Sequence, residues 1–245
     1  MPKYEEKFLE INGTKVPLRI YKEWRRTTRI SMASKNVILR IPTFLSSVLL
    51  KSELKRVERW CELQFKKHPE LLKRYAIKEY KSGDEITAME ETFVLQITKE
   101  SRKSGSAKFK NGKILIKIPI EISDVNQSDI IRKLASRTIA KVLYDKFVAK
   151  VHLINNTHFD KSINDVRLKY NRSNWGSCST NQNLNFSTRL LLAPEEVIDY
   201  VIVHELSHLI EMNHSKRFWN VVKKAMPGYL DQEEWLTKHG HTCNF

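Results

Sequence analysis

The sequence predicts an α+β fold in two parts: a basic, β-rich N-terminal region with helices over residues 1–125, then a domain organised around one buried helix over 126–245. Three observations carry that expectation. Apolar residues in the first half recur in or near period two, those in the second half recur at spacings of three and four, and the texture changes after Pro119.

In chain order, Asn36-Val37-Ile38-Leu39-Arg40-Ile41 is β-branched and apolar, ends at Pro42 and follows the basic cluster Arg25-Arg26-Thr27-Thr28-Arg29, so it reads as a strand. From about Ser46 to Lys67 the spacing becomes helical, with Leu50, Leu54, Val57, Trp60, Cys61 and Leu63 near one face. Thr92–Ile97 and Lys113–Ile118 read as strands again, with the polar stretch from Ser101 to Lys110 and Asn111-Gly112 supplying the turn between them. Ser128 is the expected N-cap of a helix that buries Ile131, Leu134, Ala135, Ile139 and Val142 and runs to about Val151. A strand pair, roughly Val166–Tyr170 and Leu184–Leu190, is joined through Trp175-Gly176-Ser177-Cys178-Ser179, and Pro194 opens the next helix at its first position.

Composition narrows the function classes. With 245 residues the chain can bury one or two cores without disulfides. No stretch approaches the roughly 20 apolar residues of a membrane span, and Met1-Pro2-Lys3-Tyr4-Glu5-Glu6 lacks the apolar core of a signal peptide, so a cytoplasmic protein with no membrane partner is expected. Three widely spaced cysteines, Cys61, Cys178 and Cys243, suggest neither a disulfide framework nor a cysteine metal site. The net charge of +15 is uneven: residues 1–125 hold 27 Lys and Arg against 16 Asp and Glu, residues 126–245 hold 16 against 12. Such a field attracts anions, nucleic acid being the usual large one, although a merely well-solvated basic surface fits the charge equally.

The chemistry lies in Val201-Ile202-Val203-His204-Glu205-Leu206-Ser207-His208-Leu209-Ile210. Two histidines four apart stand one helical turn from each other, so both imidazoles can reach one cation from the same face. Glu205 follows the first ligand directly, about 100° around the axis, where its carboxylate can act as general base toward an attacking water without binding the metal. Two histidines and a glutamate within an apolar helix are costly unless something satisfies them, and one Zn2+ per chain would. A catalytic zinc takes three protein ligands, and His214 is the best third, provided the helix ends between His208 and His214; Asn213 tolerates the left-handed conformation that would end it. A downstream glutamate, Glu233 or Glu234, is the alternative third ligand. The H-E-x-x-H-x5-H spacing equals that of metzincins, which have Gly where this chain has Glu211. Met226 before Pro227-Gly228 reads as core at the end of an apolar helix rather than as a Met-turn.

At these residues the chain resembles the YgjP-like metallopeptidase-domain family, predicted zinc-dependent hydrolases related to the SprT-like and WLM zincins. The resemblance rests on Trp175-Gly176-Ser177-Cys178-Ser179, Leu184-Asn185-Phe186, Ala193-Pro194, Ile198 through Leu209, Met212-Asn213-His214-Ser215 and Phe218-Trp219, with a weaker match from Arg29 to Trp60. It implies a zincin-like catalytic domain with the H-E-x-x-H helix, zinc at His204, His208 and His214, and Glu205 as the catalytic glutamate. The family commonly has Arg where this chain has Asn174, with Arg172 two residues earlier.

Candidate substrate-binding residues are Trp175, Gly176, Ser177, Arg172 and Tyr200. Tyr200, one turn before His204, reads first as packing and second as an oxyanion donor, with Tyr229 an equal candidate for that role. Cys178 reads as packed rather than nucleophilic, and Glu211 as either a group that orients an imidazole or an exposed helix-end residue. Three functions follow: a metallopeptidase acting on protein or peptide, a metal-dependent nucleotide phosphohydrolase, and a DNA-associated SprT-like protease or nucleic-acid-binding module positioned by the basic first half.

Overall fold

The computed structural model describes residues 4–33, 36–69, 71, 78–122 and 124–245; the opening Met1–Lys3 lie outside them. The fold is α+β, and the chain divides into two compact units, Met1–Glu79 and Tyr80–Phe245, each with its own apolar core.

The first unit is a four-stranded sheet with one long helix. Strands β1 (Tyr4–Ile11), β2 (Thr14–Glu23), β3 (Arg29–Met32) and β4 (Val37–Pro42) lie in the order β1-β2-β4-β3. The β1–β2 hairpin closes through Asn12-Gly13, both at positive φ (51° and 73°), the geometry that Asn-Gly supplies at little steric cost. Helix α1 (Ser47–Lys67), N-capped by Ser46, buries Val57, Cys61 and Phe65 in the same core as Leu9, Leu18, Ile20, Leu39 and Ile41.

The second unit holds two sheets and five α-helices among the described residues. Strands β5 (Glu85–Ala88), β6 (Glu91–Glu100), β7 (Ser106–Lys110) and β8 (Lys113–Pro119) run in the order β5-β6-β8-β7. The expected Asn111-Gly112 turn is present, at φ 50° and 73°, but it joins β7 to β8; the stretch expected to be turn is partly strand, and β6 pairs with β8 in parallel. Helix α2 (Asp124–Val142) packs on this sheet, followed by α3 (Tyr144–His158). The single helix expected from Ser128 thus starts earlier and breaks at Leu143.

Because α2 and the β5–β8 sheet share one core, with Phe93, Ile114 and Ile116 clustered with Ile131, Ala135 and Ile139, the expected boundary near residue 125 falls inside the second unit. The second sheet comprises β9 (Asp165–Lys169), β10 (Gly176–Cys178) and β11 (Asn183–Ser187) in the order β10-β11-β9. Its outer members both pair with β11, β9 in parallel and β10 antiparallel, so the 166–170 and 184–190 runs form no simple hairpin. A 3-10 turn, Thr188–Leu192, leads into α4 (Glu195–Ser207), followed by α5 (Lys216–Ala225) and α6 (Tyr229–His239). No described helix is long and apolar enough to cross a membrane.

Candidate active site

Helix α4 is capped at its start by Pro194 and carries Glu195 and Glu196 in its first turn, where the helix dipole favours negative charge. It is apolar nearly all round, with Val197, Ile198, Val201, Ile202, Val203 and Leu206 buried, so it forms part of the core rather than lying on the surface. Lys150 of α3 fastens it, reaching Asp199 Oδ1 and Glu195 Oε1 at 2.6 Å each.

The helix ends sooner than expected, at Ser207, with His208 as its C-cap. Ser207 Oγ donates to the Val203 carbonyl at 2.8 Å, while its own carbonyl accepts from the amides of Ile210 and Glu211 at 3.0 Å. Asn213 is not among the residues at positive φ, so a tight turn after Ser207, not a left-handed Asn213, redirects the chain. His214 then precedes Ser215, whose Oγ caps α5 by accepting from the Phe218 amide. The third histidine is therefore held by the start of the next helix.

His204, His208 and His214 converge: one ring nitrogen from each lies within 4.8 Å of the other two, and His204 Nε2 stands 3.0 Å from His214 Nε2. Tetrahedral zinc at about 2.0–2.1 Å from each nitrogen would separate ligand nitrogens by about 3.3 Å, a spacing the His204–His214 pair already approaches. His208 Nδ1 lies 3.2 Å from the Glu211 carbonyl; a carbonyl only accepts, so Nδ1 carries the proton and Nε2 keeps its lone pair for a metal. Neither Glu233 nor Glu234 joins the cluster.

Beneath the three rings sits Phe218, fully buried, its centroid 4.9, 4.5 and 4.7 Å from those of His204, His208 and His214. Beside them runs a ladder of rings: His214 stacks on Trp219 at 6.0 Å, Trp219 on Tyr229 at 5.4 Å, and Tyr229 on Tyr200 at 6.2 Å.

Electrostatics here favour neutral groups. Burial first, and then the neighbouring His208 and His214, bring His204 down to about 4, so its imidazole is neutral at physiological pH. Burial also lowers His208, against the opposing hydrogen bond to the Glu211 carbonyl. Burial alone pushes the Glu205 carboxyl up to about 8. Neutral imidazoles with free lone pairs are what a divalent cation binds, and its charge would favour the ionised carboxylate that burial disfavours. The donor set therefore fits a metal.

Glu205 is 5 % exposed and lies against β10. A Cβ added to Gly176 would stand 2.5 Å from Glu205 Oε1, so only glycine lets the carboxylate approach this closely. Ser177 is exposed on the same strand, whose outer edge carries no other strand among the described residues.

The remaining candidates are placed as follows. Tyr200 is 4 % exposed, edge-on to His204 at 6.0 Å. Trp175 is wedged between the Arg189 guanidinium, 4.5 Å from its ring, and Gly240, where a Cβ would meet the indole at 2.7 Å. The Arg172 guanidinium lies 5.9 Å over Tyr170, and its carbonyl accepts from Arg189. Arg189, buried, also donates to the carbonyls of Cys243 and Gly240, pinning the 172–175 loop to residues 240–243. The Glu211 carboxylate faces Arg217 at 3.7 Å, leaving its backbone to hold His208. Cys178 is half-buried, its thiol pushed up to about 11 by burial and the nearby Glu205, which suits packing rather than nucleophilic attack.

Sequence reasoning missed the roles of Phe218, Trp219 and Arg189. A cation inside the apolar run Thr188-Arg189-Leu190-Leu191 was the available signal for Arg189.

The chain is similar to known proteins over part or most of its length. The E. coli (strain K12) protein UTP pyrophosphatase is 29 % identical over 104 residues, 41 % of this chain and 57 % of that protein, so the chain spans little more than half of that relative. The metallopeptidase zymogens of Pyrococcus abyssi abylysin and Methanocaldococcus jannaschii jannalysin align with 38 % of this chain and with 95 % and 94 % of theirs. Their identities are 22 % and 21 % and their TM-scores 0.35 and 0.34. The family described as YgjP-like, metallopeptidase domain, matches residues 26–239, and the chain belongs to it.

Proposed function

We propose that this chain is a cytoplasmic zinc-dependent metallopeptidase of the zincin type, with His204, His208 and His214 as ligands and Glu205 as general base. The observation that carries the reading is the convergence of three imidazoles beside a buried glutamate. When bound, zinc supplies a Lewis acid that acidifies water and polarises a scissile carbonyl.

The chain's own residues do the rest. The Glu211 carbonyl holds His208 in the tautomer that leaves Nε2 free, and Phe218 fixes the planes of all three rings. Glu205 takes a proton from the attacking water on a carboxylate oxygen and returns it to the leaving amine. An extended peptide pairs with the open edge of β10 at Gly176 and Ser177, close to the Glu205 carboxylate.

A second reading, a metal-dependent nucleotide phosphohydrolase, is favoured by the relative named UTP pyrophosphatase. In it, Glu205 activates water toward phosphorus instead of carbon. One experiment separates the two and tests both. Zinc content is measured in the parent, His204→Ala and His214→Ala, and parent and Glu205→Gln are incubated with casein and with UTP. Near-stoichiometric zinc lost in both histidine variants supports the site. Casein cleavage lost in Glu205→Gln supports the peptidase, whereas phosphate or pyrophosphate release lost there, with casein untouched, supports the second reading. Full zinc binding by His214→Ala refutes the ligand set.

A further inference from the structure

We propose that the N-terminal unit binds single-stranded nucleic acid, on a surface where Trp24 and Phe44 offer stacking faces and Arg26, Arg29, Lys51 and Lys55 offer phosphate contacts. The inference goes beyond the hydrolase reading and rests on the first unit alone.

Residues 1–79 hold 19 Lys and Arg against nine Asp and Glu, ten of the fifteen net positive charges of the chain. Its core is complete without two large aromatic side chains: Trp24 is 92 % exposed and Phe44 71 % exposed. Large apolar rings left in water contribute nothing to folding and mark contact surfaces when they cluster.

The topology brings them to one place. Strands β2 and β4 run in parallel, Glu23 stands opposite Pro42, and the Thr43 amide donates to the Glu23 carbonyl at 3.0 Å. Trp24 and Phe44 therefore leave the sheet at the same end of neighbouring strands, which lie about 4.8 Å apart.

Cations gather at that end. Arg26 follows Trp24 by two residues, and Arg29 lies on the edge strand β3 opposite Arg40. Helix α1 starts just past Phe44; on it Val48, 75 % exposed, Lys51 and Lys55 share a face at spacings of three and four. Arg56 on the same helix donates to Thr28 Oγ1, which ties α1 to the 24–29 loop. Arg26, Arg29, Lys51 and Lys55 are all exposed, and no ion pair to any of them occurs among the described residues. Further along α1, Glu58 and Glu62 alternate with Arg59, Lys66 and Lys67, whereas the start of the helix beside Phe44 carries Lys51 and Lys55 around one acid, Glu53, which is taken up by Arg56.

Exposed rings beside unpaired cations match a strand whose bases are open to stack and whose phosphates run alongside. A duplex hides its base faces and would use the cations alone. An acidic protein would do the same.

The test is fluorescence anisotropy of a labelled 20-mer oligo-dT with the full-length chain, set beside a duplex of equal length and polyglutamate as competitor. Binding of oligo-dT is expected to weaken about 50-fold between 50 and 200 mM salt, the dependence for roughly four phosphates neutralised on a single strand. Trp24→Ala and Phe44→Ala should each weaken it about tenfold with the salt slope unchanged. Lys51→Glu with Lys55→Glu should lower the slope by about 1.4. All these positions are exposed, so melting temperatures should match the parent. No binding at 50 mM salt, duplex binding as tight as oligo-dT with Trp24→Ala without effect, or equal competition by polyglutamate would each overturn the proposal.

Discussion

Replacing Gly176 by alanine separates the role proposed for Glu205 from the roles proposed for the three histidines. The added Cβ would stand 2.5 Å from Oε1, 2.6 Å from Cγ and 2.7 Å from Cδ of Glu205. Ordinary contact begins near 3.4 Å, so the carboxylate must retreat by about 1 Å, and at 5 % exposure it has little free space to retreat into. Gly176 does not sit in the left-handed region, so alanine strains no backbone and the effect must come through the contact. A displacement of about 1 Å in a catalytic group costs about 10²-fold in rate, while overpacking costs about 1–3 kcal/mol of stability. Gly176→Ala should therefore lose about two orders of magnitude in kcat on whichever of casein and UTP the parent turns over. Its Tm should drop by a few degrees and its zinc content should stay equal to the parent's. Parent-like turnover would refute the packing argument, and simultaneous loss of zinc would refute the separation of glutamate from ligands.

Four further outcomes follow from the same geometry. Phe218→Ala should cost about 3–5 kcal/mol in denaturant unfolding, typical for truncating a fully buried ring, and should also weaken zinc binding in a chelator competition, because that ring touches all three imidazoles. Trp219→Ala should weaken zinc about tenfold through the His214 stack, with Trp219→Phe restoring most of it; an unchanged zinc affinity would leave Trp219 a packing residue only. Lys150→Met leaves Asp199 without its cation and should lower stability by about 1–3 kcal/mol in the same unfolding assay, with zinc content unchanged. Removing metal by chelation should lower Tm by about 8 °C relative to protein at 100-fold excess of free zinc over its Kd, as calorimetry would read.

What was legible in the sequence was what is local. The four-residue spacing of His204 and His208 is a property of one helix, and the turn at Asn111-Gly112 and the Ser46 cap are properties of a few adjacent residues. The Asn12-Gly13 hairpin carried an equally local signal, overlooked because the flanking runs Phe8–Ile11 and Val16–Ile20 are interrupted by charges and by Pro17. Strand pairing was not legible: β6 joins β8, and β9 joins β11, in parallel across intervening segments, so no turn dipeptide encodes either partner. The boundary near 125 reflected a change in periodicity, yet α2 closes the very sheet that precedes it, because one amphipathic face needs the other. The role of Phe218 was hidden for the same reason, since its distance to His204 and His208 is fixed by how α5 returns onto α4.

That return explains how the third imidazole can be both exposed and placed. His204 rides on a core helix, whereas His214 is solvent-exposed in the short link between two helices, and a ligand in a free loop would carry a large ordering cost into metal binding. Here the link is tied at both ends. Upstream, the Ser207 carbonyl takes two amide hydrogen bonds as α4 finishes; downstream, Ser215 caps α5 and so fixes the position of Phe218 three residues on. Phe218 then presents its ring to His214 and, in burying itself, to His204 and His208 as well. The folding of α5 onto α4 and the convergence of the three imidazoles are thus the same event, which makes their geometry part of core packing.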